Sequence, residues 1–166
     1  MDDEAIRLTD GVVTLRRPDQ GDLAAIAAGI LDPDVVRWIG PPEGTAVETL
    51  ALNRERWAAG SPTFAICESD GVCIGHAWAN VPPDEPAAAS IGYWLLPAVR
   101  GRGLATRAVR LLCDWLVRER RATTIRLFAD PGNEASQRVA ERSGFTRIAI
   151  EDRPDGTRRV RFERTP

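Results

Sequence analysis

The sequence predicts a single α/β domain built on a mixed sheet, and three observations carry that prediction. The chain has 166 residues, the size of one domain with a full hydrophobic core. Its patterning switches repeatedly between strand-like runs and 3.6-residue periodicity. At its middle an apolar run, Ile91-Gly92-Tyr93-Trp94-Leu95-Leu96, stops at Pro97, passes through Arg100-Gly101-Arg102-Gly103 and opens into a long helix. Strand, tight turn and helix in that order are the basic unit of an α/β protein.

The elements follow in order. Val12-Val13-Thr14-Leu15-Arg16 alternates as a strand does, and Pro18 ends it. Asp19 or Asp22 can cap a helix through Leu23, Ile26, Ala27 and Ile30. Asp32-Pro33 restarts the chain for a short helix, 34–39, with Trp38 near its end. After the loop Gly40-Pro41-Pro42-Glu43-Gly44, Thr45 reads as an N-cap with Glu48 three residues on, a capping box. That helix turns Leu50 and Trp57 to one side and Arg54 and Arg56 towards water. Ser61-Pro62 breaks it. Strands over 63–68 and 72–80 are joined by the hairpin turn Ser69-Asp70-Gly71. A proline-rich loop, 81–89, leads into the central strand. The long helix carries Leu104, Ala108, Leu111, Leu112, Trp115 and Leu116 at offsets 0, 4, 7, 8, 11 and 12, one buried stripe. A strand over 124–130 turns at Pro131-Gly132-Asn133 into a helix ending at Ser143-Gly144. A last hairpin pairs 146–152 with 158–163 across Pro154-Asp155-Gly156. No repeat or linker divides the chain, so 1–166 reads as one domain.

The glycine turn before the long helix has the makings of a phosphate seat. It aims unpaired backbone N–H groups and the positive end of a helix dipole at one point. Glycine at 101 and 103 lets a ligand approach without meeting a Cβ, and Arg100, Arg102 and Arg107 add charge. The chain has no lysine, which excludes a nucleoside-triphosphate loop of the P-loop kind. Thr106 stands where a dinucleotide fingerprint needs its third small residue. A net charge of −2 gives no reason to expect a nucleic-acid partner. Cys67, Cys73 and Cys113, with His76 the single histidine, lack metal-clasp spacing, so no metal site is expected and the thiols read as reduced. The acidic start Met1-Asp2-Asp3-Glu4 is the reverse of a secretion signal, and no apolar run reaches membrane-spanning length. A cytoplasmic protein without a membrane partner is the expectation.

Arg100-Gly101-Arg102-Gly103-Leu104-Ala105, following Gly92-Tyr93-Trp94-Leu95, resembles the acetyl-CoA turn of the GCN5-related N-acetyltransferases (GNAT). Asn133-Glu134-Ala135-Ser136 and then Ala140-Glu141-Arg142-Ser143-Gly144-Phe145 are similar to the Asn-x-x-Ser helix and Gly-Phe strand entry of one branch. That branch contains the ribosomal-protein N-terminal acetyltransferases of RimJ/RimL type. With weaker matches at Leu15-Arg16 and Ile74-Gly75, the resemblance covers nearly the whole chain. It implies a mixed, mostly antiparallel sheet with a splayed central strand pair flanked by helices, and acetyl-CoA as co-substrate.

The resemblance also assigns roles. Pantetheine would pair with the strand edge at Trp94-Leu95. The diphosphate would take backbone N–H groups from Arg102 through Gly103, Leu104 and Ala105 to Thr106, whose hydroxyl also offers itself. Arg100, beside Gly101, or Arg102 would meet the 3′-phosphate. Asn133 would cap its helix and help to hold pantetheine, and Ser136 would protonate the departing CoA thiolate.

Many relatives carry a glutamate just before the Ile-Gly-Tyr-Trp run, and here that position is Ser90. Serine cannot take the amine's proton unaided, though it can hold a water that does. His76, Glu43, Glu85 and Glu151 are further candidates, and no base is assigned. Without a dedicated base, an α-amine of pKa about 7.7–8 loses little, whereas a lysine-type amine near about 10.4 is neutral to roughly one part in a thousand. The expected acceptor is therefore a small-molecule or peptide amine of low pKa, a protein N-terminal α-amine or a small amino metabolite among them. Trp38, Trp78, Ser90 and Pro41-Pro42 are expected to wall its pocket. Ser90 also keeps open a different class of function, a non-catalytic acyl-CoA-binding or sensor module. Monomer and homodimer are both compatible with the pattern.

Overall fold

A computed structural model describes residues 6–166; the acidic start, Met1 to Glu4, lies outside them. The described residues run β1 (Arg7–Thr9), β2 (Thr14–Arg16), α1 (Leu23–Leu31), α2 (Pro33–Ile39), α3 (Ala46–Ala58), β3 (Thr63–Cys67), β4 (Cys73–Asn80) and β5 (Ala88–Leu95). After these come α4 (Leu104–Arg120), β6 (Thr124–Ala129), α5 (Glu134–Arg142), β7 (Thr146–Asp152) and β8 (Arg158–Arg164). They make one sheet in the order β1-β2-β3-β4-β5-β6-β8-β7. Every neighbouring pair is antiparallel except β5 and β6, which run parallel. Among the described residues, no helix is long and apolar enough to cross a membrane.

Local chemistry sets most boundaries. The Asp10 carboxylate accepts from the N–H groups of Val12 and Val13 at 2.9 and 2.8 Å, closing a turn that pairs β1 with β2. The sequence reading did not anticipate β1, because three residues are too few to show a period. Asp19 and Asp22 form a reciprocal capping box around the single 3₁₀ turn before α1, and Thr45 and Glu48 form another at α3. Arg56 departs from its expected place in water. Its guanidinium is half-buried and donates to Thr63 Oγ1 at 3.3 Å and Asn80 Oδ1 at 2.6 Å. The last hairpin forms as expected, but β8 rather than β7 adds to β6.

The main core lies under α4 and α5. Leu104, Ala108, Leu112, Trp115 and Leu116 are buried there, and Leu111 is only half-buried while Ala105, Val109 and Cys113 turn inward. Trp57, Phe64 and Trp115 stack edge to face, with centroids 4.9 Å (Trp57–Phe64) and 5.3 Å (Phe64–Trp115) apart. Burying each such side chain contributes about 1.5–3 kcal/mol, so this layer anchors the C-terminal half of α4 on the sheet. Helices α1 and α3 pack against the other face, where Gly29 of α1 lies so close to the Trp94 ring that any Cβ would overlap it.

Candidate active site

The site begins where two strands part. Strand β5 pairs with β4 from Ser90 to Leu95, but with β6 only from Ala88 to Ile91. Beyond Leu127, Phe128 and Ala129 of β6 keep their pairing with β8 on the far edge but have no partner in β5, so a gap opens beside the last residues of β5. The Leu96 N–H donates to Ile74 O at 2.8 Å on the β4 side. Strand alternation then turns the backbone groups of Trp94 towards β4, and those of Tyr93 and Leu95 into the gap. The Leu95 carbonyl accepts from Arg100 Nε at 3.0 Å. The free edge thus belongs to Tyr93 and Leu95 rather than to Trp94 and Leu95. Trp94 packs its ring over Gly29 and 5.1 Å from His76.

The turn after β5 presents its amides as the sequence suggests. Gly101 and Gly103 have φ of +76° and +75°, left-handed conformations that glycine adopts without strain. A Cβ at either would meet nothing within 4 Å, so these glycines answer to backbone conformation, not to crowding. Gly103 is the N-cap of α4 and no side chain caps this end. The first bond within the helix runs from Arg107 N–H to Gly103 O, at 3.3 Å. The N–H groups of Leu104, Ala105 and Thr106 precede it and have no acceptor in the helix.

The arginines of the turn are already committed. Arg100 binds Asp32 at 2.7 Å and Asp34 at 2.8 Å, Arg102 binds Glu68 at 2.7 Å, and Arg107 binds Asp10 at 2.7 Å. Arg100 holds the Asp32 carboxyl below the usual carboxylate range. These pairs tie the turn to α2, β3 and the β1–β2 hairpin. Full positive charge was the expectation; a neutralised, braced turn is what forms.

Across the gap stands α5. Asn133 caps it, its Oδ1 accepting from Ser136 N–H at 3.1 Å, which leaves the amide NH₂ available. Ser136 is close enough to Tyr93 that its hydroxyl eases down a phenol pKa otherwise raised by burial. The sequence reading passed over Tyr93 as a site residue, although it stands in the quoted strand motif.

One cavity of about 660 Å³ joins these parts. Trp38, Trp78, Ser90, Trp94, Leu95, Arg100, Gly101, Gly103, Leu104, Ala105, Thr106, Asn133 and Ser136 all line it; Arg102 does not. Pro41 and Pro42 also stay out of its wall. Trp38 reaches towards Gly132, and Trp78 lies flat under Gly92, where any Cβ would overlap its ring. Asn80 Nδ2 stands 3.5 Å from Ser90 Oγ at the same end. The cavity also brings in Tyr93 and Arg142, which stand in the quoted motifs, and Asp34, Asp130, Arg138 and Arg153, which no local pattern marks.

His76 lies elsewhere. It is 2% exposed, its Nδ1 is 3.4 Å from Asn53 Nδ2, and burial pushes its pKa down to about 4. It is a neutral core residue. Glu85 and Glu151, also considered as bases, are not in the cavity wall and pair with Arg126 and with Arg159 and Arg161. Glu43 is absent from the wall as well.

Residues 13–146 match the acetyltransferase (GNAT) domain family. The chain belongs to the GNAT acetyltransferases. Acetyl transfer, with acetyl-CoA as acyl donor, goes with that membership, and the parted strands and bare α4 amides are a fitting receptor for such a donor. The acetyltransferase is 31% identical to the aminoglycoside N(6′)-acetyltransferase type 1 of Klebsiella pneumoniae, over 92% of this chain and 86% of that protein. Its fold matches that of AAC(6′)-Ib in complex with paromomycin and acetyl-CoA, with a TM-score of 0.78, 25% identity and 93% of each chain covered. It also matches RimL, a ribosomal L7/L12 α-N-protein acetyltransferase in complex with coenzyme A, with a TM-score of 0.84 at 20% identity over 96% of this chain and 98% of that one.

Proposed function

We propose that this acetyltransferase acts on a primary amine of low pKa, an α-amine or a small amino compound, by direct attack on the acetyl thioester. The observation that carries this reading is the state of the carboxylates facing the cavity. Among the described residues, Asp34 and Asp130 are the acidic side chains in its wall. Asp34 is in an ion pair with Arg100, and Asp130 accepts from Gly132 N–H at 2.7 Å to hold its own turn. Asp34 is thereby engaged, Asp130 is directed to its own turn, and Ser90 occupies the position where many relatives carry a glutamate. An acceptor that reaches the site already neutral needs no strong base.

Acetyl-CoA supplies the activated acyl group, and the chain supplies the surroundings. The gap edge at Tyr93 and Leu95 and the amides of Leu104 to Thr106 orient the donor. Ser90 and Asn80 hold a water that takes the amine proton. The new bond is N–C, the bond broken is C–S, and Ser136 passes a proton to the departing sulfur, with Tyr93 beside it to replenish that proton. The 31% identity to aminoglycoside acetyltransferases makes an amino sugar the first small amino compound to try. A purified-protein assay of thiol release from acetyl-CoA, with an α-amino peptide, an aminoglycoside and a lysine side-chain analogue, tests the reading. The first two should be turned over faster; equal or faster turnover of the lysine analogue near neutral pH overturns it.

A further inference from the structure

Coenzyme A carries a third phosphate, on the adenosine 3′ position, as well as its diphosphate. The arginines nearest the diphosphate seat are poor receivers for it. Arg100 makes contacts with Leu95 O, Asp32 and Asp34, Arg102 is held by Glu68 outside the cavity, and Arg107 is held by Asp10. A guanidinium that already neutralises a carboxylate must lose that partner, or share itself, to receive a phosphate.

Helix α5 offers charge without that cost. Arg138 and Arg142 line the same cavity as the α4 amides. Arg138 has only an exposed partner one turn back, Glu134 at 3.3 Å, where the side chains are 55% and 80% exposed. Such a pair contributes little and yields readily. Arg142 has no carboxylate partner among the described residues. Its backbone carbonyl accepts from the Arg110 guanidinium of α4, which fixes the end of α5 against α4 and brings a further positive charge alongside. Arg142 also borders a second hollow of about 270 Å³ together with Arg110 and Ser143, whose buried hydroxyl has no partner. Asp114 in the same hollow is taken by Arg164 at 3.0 Å, so Arg110 and Arg142 leave this end of the groove between α4 and α5 net positive, with the diphosphate amides at its beginning.

We infer that the 3′-phosphate of the bound coenzyme is held by Arg142, assisted by Arg138, and not by the arginines of the glycine turn. The inference rests on the acetyl-CoA reading above and adds to it the residues that distinguish coenzyme A from its 3′-dephospho form. One or two charge-assisted hydrogen bonds correspond to a preference for CoA over 3′-dephospho-CoA of roughly 10- to 100-fold.

Calorimetric titration of the full chain with each of the two compounds tests it. Wild type should prefer CoA by that factor, less so as salt is raised. Arg142→Gln, and more fully Arg138→Gln with Arg142→Gln, should bring the ratio towards one by weakening CoA while leaving 3′-dephospho-CoA unchanged. Arg142→Lys should keep most of the preference, and it remains informative where the glutamine variant folds poorly. Arg102→Gln and Arg153→Gln should leave the ratio as it is. An unchanged ratio in the double variant, or one lost in Arg102→Gln or Arg153→Gln, overturns this inference alone. A wild-type chain that binds neither compound overturns the acetyl-CoA reading and this inference with it.

Discussion

At the scale of single residues, the proposed chemistry rests on two hydroxyls and one backbone conformation. Ser136 is placed by the cap that Asn133 provides and by its neighbour Tyr93. Ser136→Ala should lower kcat about 10²-fold with little change in the KM for acetyl-CoA, measured by thiol release at saturating amine. A variant with kcat intact would return the proton delivery to water. Gly103→Ala should act without any clash, since nothing lies near its Cβ. Its penalty is the left-handed φ of +75°, of about 1–2 kcal/mol, and it should appear as a raised KM for acetyl-CoA. His76 makes a different prediction. Burial lowers its pKa to about 4, so between about pH 6.5 and 4 the unfolded chain binds a proton that the native chain refuses. Stability should fall by about 3 kcal/mol across that window as pH drops, and His76→Gln should flatten the slope in pH-dependent thermal melts. For Asp22, burial alone would raise the carboxyl, but hydrogen bonds from Arg16 and the Asp19 N–H outweigh it and hold the pKa low. Its contribution is present above the ordinary carboxylate pKa of about 3.9 and is lost only further into acid, below the histidine window.

At the scale of elements, a short run of residues is used twice. The end of β5 is a paired strand towards β4 and an open edge towards β6, because its pairing with β6 stops at Ile91 while its pairing with β4 runs on to Leu95. Arg100 braces that arrangement by binding the last β5 carbonyl and the Asp32 that caps α2. A double-mutant cycle of Arg100→Gln with Asp32→Asn should return a coupling energy of about 1 kcal/mol in stability. Asparagine preserves the helix cap while removing the ion pair, so no coupling would mean that the brace is only apparent. The strand-turn-helix unit, the Thr45–Glu48 capping box and the Asn133 cap were legible in sequence, since each depends on residues within one turn of each other. At Asp19 and Asp22 the sequence offered either as a cap, and the two together box the 3₁₀ turn before α1. The partners of Arg100 were not legible, being 66 and 68 positions away.

At the scale of the whole molecule, the site is a by-product of packing on both faces of one sheet. Against the sheet, the Trp57, Phe64 and Trp115 cluster anchors the C-terminal half of α4, and buried Leu104, Ala105 and Ala108 seat its amino end. Trp115→Ala should cost about 3–5 kcal/mol, a fall in Tm of roughly 6–20 °C by calorimetry. It should reduce donor binding at temperatures where the chain remains folded. On the opposite face, α2 brings Asp34 and Trp38 to the cavity, so one side of its wall comes from an element distant in sequence from the glycine turn.

The sequence by itself determined the family, the order of nearly all the elements, the left-handed glycine that opens α4 and the cap that Asn133 gives Ser136. Those features are local: periodicity, a glycine conformation and caps act over a few residues, and their signals survive without a partner. Only the tertiary structure decided that the turn arginines are neutralised, that Tyr93 and Leu95 rather than Trp94 face the gap, and that Arg138 and Arg142 of α5 line the same cavity as the α4 amides. Ion pairing, strand facing and cavity walls are relations between distant segments, and they depend on which surfaces the sheet and helices bury against each other.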